Sequence, residues 1–350
     1  MLSHAEGRWV ARARVDLRDL GHAALVRSTG WSDTLRSGAE GAVGTLRAGG
    51  FGQLGLRDVR LVTHADGSPV TDGTAVWLTA TSAGPGFFPT AHASVWRLET
   101  DTLALSHAAD LFFARDGADG TGTYGDHAVH LVHEQDAWLV ATSTWSDFDK
   151  QRHPHVGVQV GRSRDDLLSG RHVVATTPLD LPVDGLGSVG TWDPHLLREP
   201  DGSWLVAFVS ARRFFVFHPA VAAGPSLDRL RLVAADPRRR ATEGSTLHRL
   251  SGSTGTATGS SGSGAWRLLA SDGRDGPRAT RARYPVLEAR GEWLVETGVL
   301  DAAYPTNLPW PTLVPCPGRG TLLVTFDGTR HGGPLAGYGT HGDLVVLRGQ

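Results

Sequence analysis

Three observations predict an all-β chain folded as a five-bladed β-propeller, with four-stranded antiparallel blades around a central channel. An apolar strand preceded by a short turn recurs five times, at residues 57–82, 125–143, 191–210, 242–271 and 310–328, and in the first four repeats a Trp leads it and a carboxylate opens the repeat. The opening positions Asp58, Asp126, Asp193, Glu243 and Trp310 are 68, 67, 50 and 67 residues apart by subtraction, enough for one blade each, since a blade needs roughly 40 to 50 residues. The 45 Gly, 19 Pro and 11 Trp, with few stretches of 3.6-residue periodicity, indicate short strands and tight turns rather than helices.

In chain order, residues 1–56 hold no copy of the repeat. Their segment GRWVARARVDL (7–17) resembles GEWLVETGVLDA (291–302), which falls where the outermost strand of the fourth blade belongs. By that analogy the N-terminal strand supplies the outer edge of the fifth blade and closes the ring, because an open ring would leave unpaired edges. A degenerate sixth blade over residues 20–55 is the alternative. Within the repeats the first strand alternates, as in His195-Leu196-Leu197-Arg198, whereas the second is nearly continuously apolar, as in Trp204 to Val209, and is therefore buried on both faces. Trp77, Trp138, Trp204 and Trp266 recur at one repeat position and read as core between blades. The low-complexity stretch SGSTGTATGSSGSG (251–264) inserts between the first two strands of the fourth repeat. No shift in composition separates the repeats, so residues 1–350 read as one domain.

A formal net charge of −2 gives no reason to expect a nucleic-acid partner, and Arg238-Arg239-Arg240 reads as a solvated loop. No segment reaches the roughly 20 apolar residues of a membrane span, and the charged N-terminus lacks a signal-peptide core, so a cytoplasmic location is expected. The one cysteine, Cys316, excludes an internal disulfide and reads as a small buried residue.

In a propeller the first strand of each blade lines the channel. Carboxylates at the start of successive first strands therefore converge on one end of the axis, where like charges raise the pKa of one while others stay ionised. A protonated carboxyl beside an ionised one is what glycoside hydrolysis requires. His127, His130, His195 and His248 fall on or near the same strands. They read as polar channel-lining groups rather than metal ligands, for no HExxH-type spacing is present. Trp192, beside Asp193, is placed to stack on a sugar face. Asp126, His127, His130, Trp192 and His195 are thus candidate substrate-binding residues.

Asp58 in RDVRL, Asp193-Pro194 in TWDPHLLREPDGSWLVAF and Glu243-Gly244 in ATEGSTLHRL together resemble the motifs of the five-bladed propeller glycosidases of families 43, 62, 32 and 68, with family 43 nearest. The resemblance covers residues 57–328 and implies roles: Asp58 as general base or nucleophile, Asp193 as the residue that orients the acid and tunes its pKa, and Glu243 as general acid. It implies a small carbohydrate as substrate, no required cofactor, and an axial calcium or other ion as the one that such folds sometimes carry. The chain departs from the pattern at Val59, where Asp-Pro is usual, in lacking the WMNDPNG signature, and in having no channel His in the fifth repeat. Two other functions remain open on the residues alone: a non-catalytic propeller that binds glycans or protein, and acid/base chemistry on a non-sugar substrate through Asp126 and the histidines.

Overall fold

The computed structural model describes residues 55–83, 88, 91–118, 120–249, 266–273, 281–305, 308–316, 318–330 and 341–349, preceded by two short strands, β1 (His4–Ala5) and β2 (Arg8–Trp9), that pair with each other. The rest of the proposed N-terminal closing strand, all but residue 55 of the 20–55 segment, and the 251–264 insertion lie outside the described residues.

From β3 onward the chain folds as a succession of antiparallel meanders, with no α-helix among the described residues. The first comprises β3 (Leu56–Leu61), β4 (Thr63–His64), β5 (Thr71–Asp72), β6 (Ala75–Ser82), β7 (His92–Glu99), β8 (Leu105–Gly117) and β9 (Gly120–Tyr124), with β3-β6-β7-β8 as its body. The second is β10 (His127–Glu134), β11 (Ala137–Ser143), β12 (Val158–Ser163) and β13 (Gly170–Pro178). The third is β14 (Gly190–Arg198), β15 (Trp204–Arg213), β16 (Val216–Gly224) and β17 (Arg231–Ala235). The fourth is β18 (Thr242–Arg249), β19 (Trp266–Asp272), β20 (Tyr284–Arg290) and β21 (Trp293–Leu300), so the GEWLVETGVLDA segment is indeed the last strand of its meander. The last described sheet is β22 (Thr312–Cys316), β23 (Gly320–Arg330) and β24 (His341–Arg348).

Each second strand is apolar because it is covered twice: the first eight residues of β15, Trp204 to Ala211, are all buried. Separate cores lie between successive meanders. Leu111, Phe113, Leu131 and Val140 join the first to the second, Val132, Leu139, Leu196 and Val206 the second to the third, and Leu197, Leu205, Leu247 and Leu268 the third to the fourth. The last sheet packs back on the first through Trp310, Val314, Val324 and Phe326 against Val59, Leu61 and Leu78, with Cys316 buried among them. A Tyr284 hydroxyl donating to Thr325 Oγ1 at 3.4 Å links the fourth meander to the last. Each buried aliphatic or aromatic side chain contributes about 1.5–3 kcal/mol, so these seams hold the meanders side by side. The all-β arrangement is consistent with a β-propeller, and it sets β3, β10, β14 and β18 next to one another with β22 beside β3.

Candidate active site

The same irregularity interrupts four first strands. Ladder pairing skips from Arg57 to Arg60, from His127 to His130, from Trp192 to His195 and from Glu243 to Thr246, while the partner strand advances only two residues. Each is a β-bulge whose first residue is left-handed: Asp58 (φ 54°), Ala128 (φ 58°), Asp193 (φ 57°) and Gly244 (φ 69°). Pro194 fits the second bulge position because no ladder N–H is needed there.

This register corrects the expectation that the four opening acids are equivalent. Asp58 and Asp193 are equivalent, but the second strand has Ala128 at their position, and Glu243 sits one residue earlier, in the row of Arg57, His127 and Trp192. An extra bulge residue shifts side-chain alternation, and a sequence alignment drawn on acids does not show it. Ala128 also shows that the left-handed bulge does not require an acid.

A hydroxyl on the preceding meander supports the bulges of the second and third meanders. Ala128 N–H donates to Thr81 Oγ1 at 3.1 Å, and Asp193 N–H donates to Ser143 Oγ at 2.9 Å. At the corresponding place the third meander has Val209, opposite Trp192 in the ladder, which cannot accept. Gly244 N–H instead donates to Asp193 Oδ2 at 3.4 Å, so the carboxylate is turned toward the strand that carries Glu243. Gly244 is required for a second reason: a Cβ there would lie 2.3 Å from Cδ1 of Trp310.

The three acids form one electrostatic cluster. Burial is the main force raising the pKa of each, and Asp193 is pushed up further by Glu243 and Asp58. For Asp58 that rise is opposed by Arg57, a hydrogen bond with Thr81, and Arg60. Burial and then Asp58 raise Glu243 to about 7, against Arg57 and the Trp310 indole. Asp58 and Asp193 are 6% and 3% exposed, whereas Glu243 is half-buried and is the most exposed member of its row.

Below the acids, Arg60 occupies the row of His130, His195 and Thr246. Its guanidinium donates to the Asp193 carbonyl (2.8 Å), the Ser245 carbonyl (3.1 Å) and Thr246 Oγ1 (3.1 Å), and lies 4.7 Å from the Trp310 ring centre. Burial lowers it to about 10, opposed by Asp193 and Asp58. His130 and His195 stack at 4.0 Å, and burial drives both well below the usual imidazole range, so they are neutral. His130 Nδ1 accepts from Leu196 N–H at 3.0 Å and Nε2 bonds Thr63 Oγ1 at 3.3 Å. With both nitrogens engaged, His130 does not fit as a ligand for an axial ion, and among the described residues no group of three or more His, Cys, Asp or Glu is placed to hold a metal.

The remaining candidates have other surroundings. Asp126, two residues ahead of its bulge, is fully buried and clamped by Arg115 at 2.6 and 2.7 Å; Arg115 also binds Asp147 at 2.9 Å. It is part of a buried ion triad. His127 Nε2 faces the Phe88 carbonyl at 3.2 Å, and burial lowers the ring to about 3. Trp192 is only 3% exposed, packed by Trp145, Phe214 and Phe217, which leaves no face for a sugar. Sequence reasoning missed Arg57 and Arg60, which no motif marks, and Tyr304, whose hydroxyl bonds Ser271 Oγ at 2.7 Å and whose pKa is raised in part by Glu243.

No protein-family model and no curated protein matches the chain. Solved structures do. A family 43 glycoside hydrolase of Xanthomonas citri, complexed with xylose, is 12% identical over 84% of this chain and 87% of its own, with a TM-score of 0.53. An endo-arabinase of Bacteroides thetaiotaomicron is 12% identical over 85% of this chain and 95% of its own, with a TM-score of 0.51. A family 32 β-fructofuranosidase of Bombyx mori is 12% identical over 79% of this chain, which spans 56% of that protein's length, with a TM-score of 0.49. At these identities the likeness is one of fold: the chain shares the architecture of the propeller glycoside hydrolases.

Proposed function

We propose that the chain is a five-bladed propeller glycoside hydrolase, a single domain that cleaves a small oligosaccharide or glycoside by carboxylate acid/base catalysis with inversion. The observation that carries the proposal is the cluster of Asp58, Asp193 and Glu243. They come from three separate strands, they titrate against one another, and the Ala128 bulge shows that the backbone alone does not demand the acids. Glu243, protonated below about 7 and the most accessible of the three, donates its proton to the glycosidic oxygen as the bond to the anomeric carbon breaks. Asp58, whose burial-driven rise in pKa is opposed by Arg57, Thr81 and Arg60, takes a proton, once ionised, from the water that attacks the opposite face of the sugar. Asp193 aims Glu243 through Gly244 N–H.

Because family 43 neighbours are complexed with xylose and xylotriose, pentosides come first in a substrate panel. Aryl xylosides, arabinofuranosides, galactosides and fructoside surrogates are assayed with the wild type, Glu243→Gln and Asp58→Asn. Hydrolysis of one glycoside, lowered at least a hundredfold by either substitution, is the expected result; anomeric configuration read by NMR in the first turnovers tests inversion. The deep burial of Asp58 and Asp193 favours one second reading, a non-catalytic glycan-binding propeller. A folded wild type inactive on every glycoside would select it.

A further inference from the structure

A cationic cleft lies between the third and fourth meanders. It has a volume of about 580 Å³ and is lined by Arg212, Arg213, Val216, Pro237, Arg238, Arg240 and Trp293, with no carboxylate in the lining. In a chain of net charge −2 this is a local concentration of one sign, since the Arg238–Arg240 loop of the sequence is folded against a second arginine pair.

The ladder places the arginines of the cleft, though not Trp293 at the opposite end of the fourth meander, at the same strand ends as the acids. Gly190, three residues before Asp193, pairs with Ala211, and Arg212 and Arg213 follow directly; Arg240 precedes Glu243 by three residues. The arginines divide into two kinds. Arg239 turns inward to Asp236, Asp272 and Glu296 at 3.1, 2.8 and 2.9 Å, and Arg238 binds Asp236 at 2.7 Å. Arg212 and Arg213 are exposed, and among the described residues no carboxylate lies within ion-pairing distance of either. Two aromatic rings accompany them. Trp293 is 49% exposed with the Arg238 guanidinium 5.3 Å from its ring centre. Phe215 is 65% exposed at φ 68°, a conformation that a bulky residue rarely adopts, at the tip of the hairpin after Arg213.

Guanidinium forks bind carboxylates and sulfates in bidentate fashion, and an open indole face takes the apolar face of a sugar ring. We infer that this cleft binds the acidic groups of an anionic saccharide, carboxylated or sulfated, that extends outward from the Asp58–Asp193–Glu243 cluster. The word saccharide rests on the glycosidase reading; the anionic character rests on the cleft itself.

The test is titration calorimetry on Glu243→Gln, which prevents turnover, with four probes: tetragalacturonate, a sulfated xylotetraose, uncharged xylotetraose and a short single-stranded oligonucleotide. The acidic tetrasaccharides are expected to bind at least tenfold more tightly than the uncharged one, with affinity falling as salt rises. Adding Arg212→Ser and Arg213→Ser should remove that advantage, and adding Trp293→Ser alone should weaken both acidic probes. The tighter of the two identifies carboxylate or sulfate as the group recognised. Equal binding of charged and uncharged probes, an unchanged affinity in the double arginine variant, or tighter binding of the oligonucleotide would overturn the inference. Acidic saccharide bound by a protein with no glycosidase activity would defeat the proposed function alone, whereas turnover of neutral glycosides without charge preference would defeat this inference alone.

Discussion

Glu243 couples its own ionisation to the stability of the fold. Its folded pKa is raised to about 7 by burial and by Asp58, so between its ordinary value of 4.5 and 7 the folded chain holds a proton that the unfolded chain releases. Stability is therefore fullest below that range and is lost as pH rises through it, by roughly 3 kcal/mol at most. Glu243→Gln, which has no proton to lose, should match the wild type near pH 4 and be more stable above pH 8, a difference read from urea unfolding at both pH values. Asp58 and Asp193, also raised, leave the variant a residual slope of the same sign. A variant less stable than wild type at pH 8 would mean that Glu243 is not a strained acid. The three acids were legible as motif residues. Arg57 and Arg60 were not, because nothing in RDVRL shows that Arg60 reaches carbonyls on two other strands or that Arg57 acts on Glu243, and Trp192 misled because adjacency to Asp193 in sequence says nothing of which way its ring packs.

At the scale of the strand, the repeated bulge sets the site. It holds Asp58 and Asp193 in a left-handed conformation that short polar residues tolerate and that costs an ordinary residue about 1–2 kcal/mol. Gly244→Ala adds that cost to a collision with Trp310, so a loss of about 2–4 kcal/mol is expected. Ala128→Gly, at the equivalent place and without a catalytic part, should gain up to about 1 kcal/mol. Denaturant midpoints of both variants check the pair; shifts of the same sign would show that the bulges are not equivalent. The strands themselves were readable from apolar runs such as Trp204–Val209, but an inserted residue in a ladder carries no hydrophobic signature, and the acids were accordingly aligned one and two residues out of register at Glu243 and Asp126.

Across the molecule, Arg60 is the piece that joins distant parts of the chain, reaching from β3 to a carbonyl of β14 and to β18. Arg60→Met would remove the guanidinium from the Trp310 ring and leave two buried carbonyls unanswered, a loss of about 3 kcal/mol or more. Urea unfolding measures it, and a wild-type midpoint would show that water or a neighbour satisfies them. The order of the described meanders was visible in the sequence because each repeats one pattern of burial. The seams between first and last were not, since they join Val59 to Val314 and Phe326, residues far apart in the chain. Repetition alone, however, gives an axis on which every sector is alike, and a reaction that moves a proton from one side of a bond to the other needs sectors that differ. Val209, standing where Thr81 and Ser143 accept a backbone proton, removes one hydroxyl from the ring and hands its task to the Asp193 carboxylate. The loss of a single oxygen from a repeated scaffold thus turns one carboxylate toward its neighbour.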